Sequence, residues 1–171
     1  MKLIIINGPC GIRKSTIAAK LHEEIPLSFL LNIDEQRRLF SQYREKQEES
    51  RVASLKISAS IISSCLEMNH DVIIDKMLYE TQILDSFYEI AKKYNAEVNE
   101  IILWASKEVV MQRANARGWK KGGLLTPEKC EYFWHQIEAI KDKRPRATIV
   151  DVSDLSEHEA YLKVKESLKF D

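Results

Sequence analysis

The sequence predicts an α/β fold in which helices cover both faces of a parallel β-sheet. Five short apolar runs alternate with longer segments of helical period along the 171 residues. Strands that alternate with helices form βαβ units, whose strands run parallel. The length fits one domain by the usual range of roughly 100–200 residues per domain. We therefore expect residues 1–171 to fold as a single domain.

The first strand and helix are predicted by a change of period near the N-terminus. Residues 2–7 (KLIIIN) form a brief β-branched run that is ended by Gly8-Pro9, as in a buried strand. A helix is expected over residues 14–24, before Pro26. A second strand is expected over residues 27–31.

The next region predicts two helices. Residues 35–49 are highly charged and are expected to be helical. A long amphipathic helix should follow and end near Asn69, because apolar residues recur at intervals of three and four. These residues are Val52, Leu55, Ala59, Ile62 and Leu66.

Hydroxyl residues mark the starts of the later helices. A third strand over residues 71–74 precedes Thr81, which is expected to cap a helix, and a fourth strand over residues 98–104 precedes Ser106, a second cap. Thr126 is a third cap, because proline and an acid follow it. A fifth strand over residues 148–152 precedes a capping box made by Ser156 and Glu159.

Composition and charge exclude several classes of protein. Hydrophobic residues make up 44% and charged residues 30%, which argues against disorder. The 26 basic and 26 acidic side chains cancel, so the overall basic field of many nucleic-acid binders is absent, although a local basic cleft remains possible. The longest early apolar run, residues 3–6, is too short for a signal peptide or membrane span. We expect a soluble cytoplasmic protein with no membrane partner.

The cysteines indicate a reducing compartment. Cys10, Cys65 and Cys130 are odd in number and widely spaced, and no CxxC pair occurs. A disulfide framework and a structural zinc site are therefore not expected.

The strongest motif follows the first strand. The segment Gly8-Pro9-Cys10-Gly11-Ile12-Arg13-Lys14-Ser15-Thr16 fits the Walker A pattern GxxxxGK[ST], except that Arg13 replaces its second glycine. Backbone N–H groups in such a loop bind phosphate together with the helix N-terminus. Lys14 is expected to reach the β- and γ-phosphates, and Ser15 to hold Mg²⁺. The expected nucleotide-binding residues are Gly8, Cys10, Gly11, Ile12, Arg13, Lys14, Ser15 and Thr16.

Arg13 is the departure from that pattern. Glycine at this position allows close approach of the phosphates and a left-handed backbone. If the backbone is left-handed, a side chain costs about 1–2 kcal/mol. Either Arg13 points outward and pairs with a phosphate, or it weakens nucleotide binding, and we favour weakening.

Acidic residues follow the second and third strands. Asp34 could take the proton from an acceptor hydroxyl, or it could simply cap the next helix. Arg37 lies one helical turn later and could bind an anion on the substrate. Asp75 ends an apolar strand, which is the weak Walker B pattern, in which the acid orients Mg²⁺. Alternatively, Asp75 could contact the acceptor.

Two arginines precede a glycine-rich segment. Arg113 and Arg117 are four residues apart, so they share a helix face and could stabilise the transferring phosphoryl group. The alternative is a solvated basic helix end. The following residues, 118–125, contain three glycines and two lysines and suit a loop.

Together these residues resemble the small P-loop kinases, and most closely the 5′-kinase domain of phage-type polynucleotide kinases. Zeta-type toxins, antibiotic phosphotransferases and gluconate kinases are related. The resemblance covers essentially the whole chain. It implies a three-layer P-loop fold with sheet order 2-3-1-4-5 and a small lid near residues 113–126.

The resemblance also implies roles for individual residues. Asp34 and Arg37 resemble the catalytic aspartate and the arginine that binds substrate phosphate. Asp75 resembles the acceptor-site acid, and Arg113 with Arg117 resembles the RxxxR lid pair. The function implied is ATP- and Mg²⁺-dependent transfer of the γ-phosphoryl group to a hydroxyl of a small-molecule or nucleotide acceptor. A polynucleotide 5′-hydroxyl kinase and a nucleotide-binding module impaired by Arg13 remain alternatives.

Overall fold

A parallel sheet runs through the middle of the protein, in the computed structural model, which describes residues 1–119 and 125–168. Its strands are β1 (Lys2–Asn7), β2 (Phe29–Asn32), β3 (Val72–Asp75), β4 (Glu97–Trp104) and β5 (Thr148–Asp151). They pair in the order β2-β3-β1-β4-β5, which confirms the expected order and the α/β class.

Helices connect the strands and pack on the sheet. They are α1 (Lys14–Glu24), α2 (Ile33–Arg38), α3 (Gln47–Glu67), α4 (Thr81–Lys93), α5 (Lys107–Ala116), α6 (Pro127–Lys141) and α7 (Glu157–Ser167). None of the helices within 1–119 and 125–168 is both long and apolar enough to cross a membrane.

The central strand shows why the sheet is buried on both faces. Side chains alternate between faces along a strand. Ile4 and Ile6 therefore belong to one apolar cluster, with residues of α1, α5 and α7. Leu3 and Ile5 belong to another, with residues of α3 and α4. Full burial of each of these side chains stabilises the fold by roughly 1.5–3 kcal/mol.

The register brings the carboxyl ends of the central strands to one edge. Ile6 of β1 pairs with Asp75 of β3, and Asn32 of β2 pairs with the same Asp75. Asn7, the last residue of β1, pairs with Ile102 of β4. Ligands of open parallel sheets bind beyond this edge, so the register places the acid at the end of β3 near the loop after β1.

The third, fourth and fifth strands differ from their expected bounds by one residue at one or both ends, and two other differences are larger. The second strand begins at Phe29 rather than at residue 27, where Leu27 is exposed and has a φ of 55°. The expected helix over residues 35–49 is wrong, since α2 ends at Arg38 and α3 begins at Gln47. Gln42 has a φ of 56° between them, a left-handed conformation that a helix does not contain.

Most of the expected helix caps are confirmed. The side chains of Ser106 and Thr126 accept hydrogen bonds in the first turns of α5 and α6. Ser156 and Glu159 form the capping box of α7. The cap at Thr81 is wrong, because Thr81 is the first residue of α4 and Glu80 precedes it.

Candidate functional site

The loop between β1 and α1 needs a glycine at its first position. Gly8 has a φ of 136°, and a Cβ atom there would lie 2.4 Å from the backbone oxygen of Leu103 on β4. Only glycine fits without moving that strand. Gly11 also has a positive φ, of 74°. The loop turns tightly and enters α1 at Lys14, whose first turn leaves N–H groups free for an anion.

Arg13 has the left-handed backbone that would be costly for its side chain. Its φ is 71° and its ψ is 22°, at the N-cap position of α1. Such a conformation costs about 1–2 kcal/mol relative to the right-handed one. The Arg13 guanidinium donates a hydrogen bond of 3.1 Å to the backbone oxygen of Leu155, after β5, on what we call the β5 side of the loop.

The Lys14 amine lies within the loop. It donates hydrogen bonds to the backbone oxygens of Gly8, at 2.9 Å, and Pro9, at 2.7 Å. Burial lowers the pKa of Lys14 to about 8, although the nearby carboxylates of Asp75 and Asp34 oppose this change. Near pH 7 the amine remains mostly charged, so it can bind phosphate oxygens.

Asp34 lies beside the loop and is paired with a lysine. It is the second residue of α2, and the side chain of Asn32 caps this helix, so the capping interpretation of Asp34 is wrong. Its carboxylate accepts a short hydrogen bond from the Lys76 amine. Because Asp34 is itself exposed, one of its oxygens remains accessible to a ligand.

Asp75 is buried at the end of β3. One of its carboxylate oxygens accepts a hydrogen bond of 3.4 Å from the Asn32 amide. Ser15 is exposed in the first turn of α1. One carboxylate and one hydroxyl, completed by phosphate oxygens and water, form a donor set that Mg²⁺ accepts. These residues therefore fit the ion.

The three other arginines singled out in the sequence have different surroundings. Arg37 donates to the Ser50 hydroxyl, at 2.9 Å, and to the backbone oxygen of Gln47, at 2.6 Å, neither of which is a carboxylate. Arg117 is exposed, follows α5, and its charge acts on Lys14. The arginine roles and the lid remain predictions, and residues 120–124 of the expected lid lie outside the described part.

Arg113 is directed to the same β5 side of the loop as Arg13. One of its terminal nitrogens donates to the backbone oxygens of Val152, at 3.0 Å, and Ser153, at 2.9 Å. Its other terminal nitrogen is buried and has no hydrogen-bond partner among the described residues. Burial and the charge of Arg13 lower the pKa of Arg113 below its usual value.

Sequence reasoning missed Asn7, which joins the loop to the segment after β3. Its side-chain amide donates a 2.7 Å hydrogen bond to the backbone oxygen of Leu78. Its side-chain oxygen accepts from the backbone N–H groups of Gly8 and Leu78, at 2.7 and 2.9 Å. A buried amide at the end of an apolar strand is the signal that could have identified it. Lys76 was also missed, since nothing in its spacing connects it to Asp34.

The cysteine expectation is wrong for one pair. Cys10 of the loop and Cys130 of α6 form a disulfide bond, with their Cα atoms 6.3 Å apart. Cys65 is a buried free cysteine. The paired cysteines are separated by 120 residues in sequence, a contact that cysteine spacing does not reveal.

The sequence matches a protein-family model described as an AAA domain, AAA_33, over residues 3–151. The chain belongs to this family. Members of the AAA_33 family have the P-loop kinase fold, to which the sheet order and the loop after β1 conform.

Solved structures with the same fold confirm the architecture. A gluconokinase from Sinorhizobium meliloti 1021 is 17% identical, with a TM-score of 0.74, over 98% of this chain and 91% of that one. A tunicamycin resistance protein from Deinococcus radiodurans is 16% identical, with a TM-score of 0.68, over 100% of this chain and 98% of that one. A deoxyadenosine kinase from M. mycoides is 16% identical, with a TM-score of 0.60, over 97% of both chains.

Proposed function

We propose that this AAA_33 protein is an ATP- and Mg²⁺-dependent kinase that phosphorylates a hydroxyl of a small-molecule or nucleotide acceptor. The observation that carries this proposal is the convergence of Lys14, Asp34 and Asp75 beside one phosphate-type loop, close enough for both carboxylates to act on the lysine. A cation between two acids at the end of a parallel sheet suits phosphoryl transfer, which depends on positioning and charge stabilisation.

The proposed reaction assigns each of these groups a step. When ATP binds, the Lys14 amine leaves the backbone oxygens of Gly8 and Pro9 and donates hydrogen bonds to the β- and γ-phosphate oxygens. These phosphate oxygens also accept hydrogen bonds from the N–H groups of the loop. Asp34 accepts the proton of the acceptor hydroxyl as its oxygen bonds to the γ-phosphorus. The bond between that phosphorus and the β–γ bridging oxygen breaks, and ADP leaves. The ion pair with Lys76 orients Asp34 for this step.

Ser15 and Asp75 are the residues that would hold Mg²⁺, which when bound neutralises phosphate charge. Arg37, which lines a cavity beside the Asp34–Lys76 pair, would donate hydrogen bonds to an oxygen of the acceptor. Arg117 would approach the transferring phosphoryl group, given its electrostatic contact with Lys14. Arg113 would contact the nucleotide from the β5 side.

The two sides of the loop then have different ligands. A γ-phosphate that points toward Asp34 leaves the nucleoside part of ATP on the opposite side, near the residues that follow β5. Arg13 reaches into that side, where it donates to Leu155. This placement favours the interpretation that Arg13 weakens nucleotide binding, so an impaired kinase is the second candidate function.

The acceptor is not fixed by the fold. The similar structures are described as a gluconokinase, a tunicamycin resistance protein and a deoxyadenosine kinase, which are named for chemically different compounds. A polynucleotide 5′-hydroxyl kinase needs a basic groove for the nucleic-acid backbone. The zero net charge of the chain favours a small acceptor over that alternative.

The test is transfer of labelled γ-phosphoryl groups to a panel of hydroxyl acceptors by the chain, Arg13→Gly and Arg13→Gly/Asp34→Asn. We expect Asp34→Asn to remove transfer by roughly 10²–10⁴-fold, the usual contribution of a general base, with ATP affinity unchanged. Glu35→Gln is the matched control, since Glu35 is the next residue and pairs with Arg38. Full turnover by the Asp34→Asn form would contradict the role of Asp34.

A further inference from the structure

A cavity of about 120 Å³ lies next to the Asp34–Lys76 pair. It is enclosed by α2 and α3 on one side, by the segment between β3 and α4, and by α6. Lys76, whose amine holds Asp34, lines the cavity. A compound inside it would therefore present a hydroxyl close to the proposed base.

The walls of the cavity are mainly apolar and aromatic. The apolar and aromatic residues that line it include Ile33, Leu55, Met77, Leu78, Tyr79 and Phe133. Polar or charged lining residues are also present, namely Arg37, Arg51, Ser54, Lys76 and Glu80. An open-chain polyol could pair with these groups but would leave its other hydroxyl groups against apolar walls, which is unfavourable. A flat ring would instead bury its faces there.

Two aromatic rings from distant parts of the chain meet at this cavity. The ring centroids of Tyr79, after β3, and Phe133, on α6, are 5.8 Å apart with an angle of 30° between their planes. Tyr132 packs edge-on against Tyr79 at 6.5 Å. Such a group provides ring faces on which a third planar ring can stack.

The size and the polar end of the cavity limit the ring. A cavity of roughly 150 Å³ lined by apolar side chains admits benzene, so this cavity accommodates about one ring. Arg51 and Glu80, which also line it, pair with each other at 2.7 Å. They provide a hydrogen-bond donor and acceptor at the edge of a bound ring, and Arg37 and Lys76, which also line the cavity, add positive charge there.

We propose that the acceptor is a hydroxyl compound that carries a single planar ring, of the pyrimidine nucleoside class, with its ring on Tyr79 and Phe133 and its hydroxyl at Asp34. This inference rests on the proposed function and names the substrate class of the same site. The ring subsite determines which compound is phosphorylated, while the loop after β1 binds the phosphates of ATP whichever acceptor is present.

The test measures binding and transfer with uridine, cytidine and thymidine, and with ribose and gluconate as acceptors that lack an aromatic ring. Binding is followed by ligand-observed NMR without ATP, and transfer by labelled ATP with the chain and with Arg13→Gly. We expect the nucleosides to bind at least tenfold more tightly than ribose or gluconate. Phe133→Ala should weaken nucleoside binding about tenfold and leave ATP affinity unchanged. Tyr79→Phe, which keeps the ring, should bind like the parent.

Tyr94→Ala is the control, because Tyr94 follows α4 and bonds to Ser63, away from the cavity. Nucleoside binding that is absent, or that Phe133→Ala does not weaken, would overturn the ring subsite. Phosphorylation of gluconate or ribose in preference to the nucleosides would also overturn it, while the kinase function would stand. If neither the chain nor Arg13→Gly binds ATP, the proposed function fails. The ring subsite is still tested in that case, because nucleoside binding and its loss in Phe133→Ala are measured without ATP.

Discussion

The two sides of the β1–α1 loop hold their charged groups in different ways. On the side that carries Asp34 and Asp75, which we call the acceptor side, Lys76 pairs with the carboxylate of Asp34, and the Asn32 amide contacts Asp75. On the β5 side, the hydrogen bonds that Arg13 and Arg113 make within residues 1–119 and 125–168 go to backbone oxygens of the segment after β5. The acceptor side therefore has charges already arranged around the loop, whereas the β5 side has two cations whose charges repel each other.

The bonds that join the loop to the rest of the fold also differ between its two sides. Asn7 joins the loop to the segment after β3, and the Cys10–Cys130 bond joins it to α6, which carries Phe133. On the β5 side the loop is connected through the flexible side chain of Arg13. The acceptor side is therefore held by several bonds, whereas the departure from the Walker A pattern, Arg13, bonds to the side that we assign to the nucleoside part of ATP.

The largest expected effect is on Lys14. Lys14→Met removes the charge that we place between the phosphates, and we expect phosphoryl transfer to fall by roughly 10²–10³-fold, the usual effect of one such donor. Initial rates with saturating acceptor measure this, in the Arg13→Gly form. Lys20→Met is the matched control, because Lys20 lies on the same helix and pairs with Glu157 on the surface. Equal losses in both variants would remove the special role of Lys14.

The disulfide bond is expected to stabilise the fold. It closes a long loop, and loss of such a bond costs on the order of 2–5 kcal/mol. We therefore expect Cys10→Ser to lower the free energy of unfolding in urea by this amount when no reductant is present. Added reductant should lower the stability of the parent in the same way and leave Cys10→Ser unchanged. Cys65→Ala should keep the response to reductant. Three titratable thiols in the parent, when it is denatured without reductant, would show that the bond does not form.

Loss of the Asn7 side chain is expected to have a slightly smaller effect. Asn7→Ala removes three hydrogen bonds, from the backbone N–H groups of Gly8 and Leu78 and to the Leu78 oxygen, and each contributes about 0.5–1.5 kcal/mol. We expect a total loss of about 2–4 kcal/mol in the free energy of unfolding. Asn99→Ala, which removes one amide that donates to Glu97, should cost under about 1 kcal/mol. Similar losses of unfolding free energy in both variants would contradict the role of Asn7 in joining the loop to the acceptor side.

The smallest expected effect is a pH dependence of nucleotide binding. Because burial lowers the pKa of Lys14 to about 8, the free protein loses this charge above pH 8. Phosphate binding favours the charged amine, so ATP affinity should fall as the pH rises through 8, by up to about tenfold per pH unit. Titrations of Arg13→Gly at pH 7 and 9 measure this fall. An equal fall in Arg13→Gly/Lys14→Met would assign the titration to another group.

The sequence predicted the parts of the fold that depend on local signals. β1 and α1 begin and end at the expected residues, because a buried apolar run and Gly8-Pro9 define them. The helix expected over residues 35–49 was wrong, because that charged segment has no apolar period to bury and turns at Gln42. High charge alone does not specify a helix.

The site was predictable only where a residue type has a local motif. Lys14 and Ser15 follow from the Walker A spacing, and Asp34 and Asp75 from the ends of strands that the fold brings together. The Lys76–Asp34 pair, the Asn7 bonds and the Cys10–Cys130 bond join distant segments. The spacing of residues in the sequence does not predict these contacts, because they depend on how the helices pack.

The most direct test of the account is calorimetric titration of Mg-ATP into the chain and into Arg13→Gly. We predict that Arg13→Gly binds Mg-ATP at micromolar strength and at least about fivefold more tightly than the chain, which corresponds to about 1 kcal/mol. This gain is expected because the variant removes both the side chain on the β5 side and the left-handed strain. Absence of binding to both proteins would contradict the phosphate site itself, and equal binding would contradict the effect assigned to Arg13.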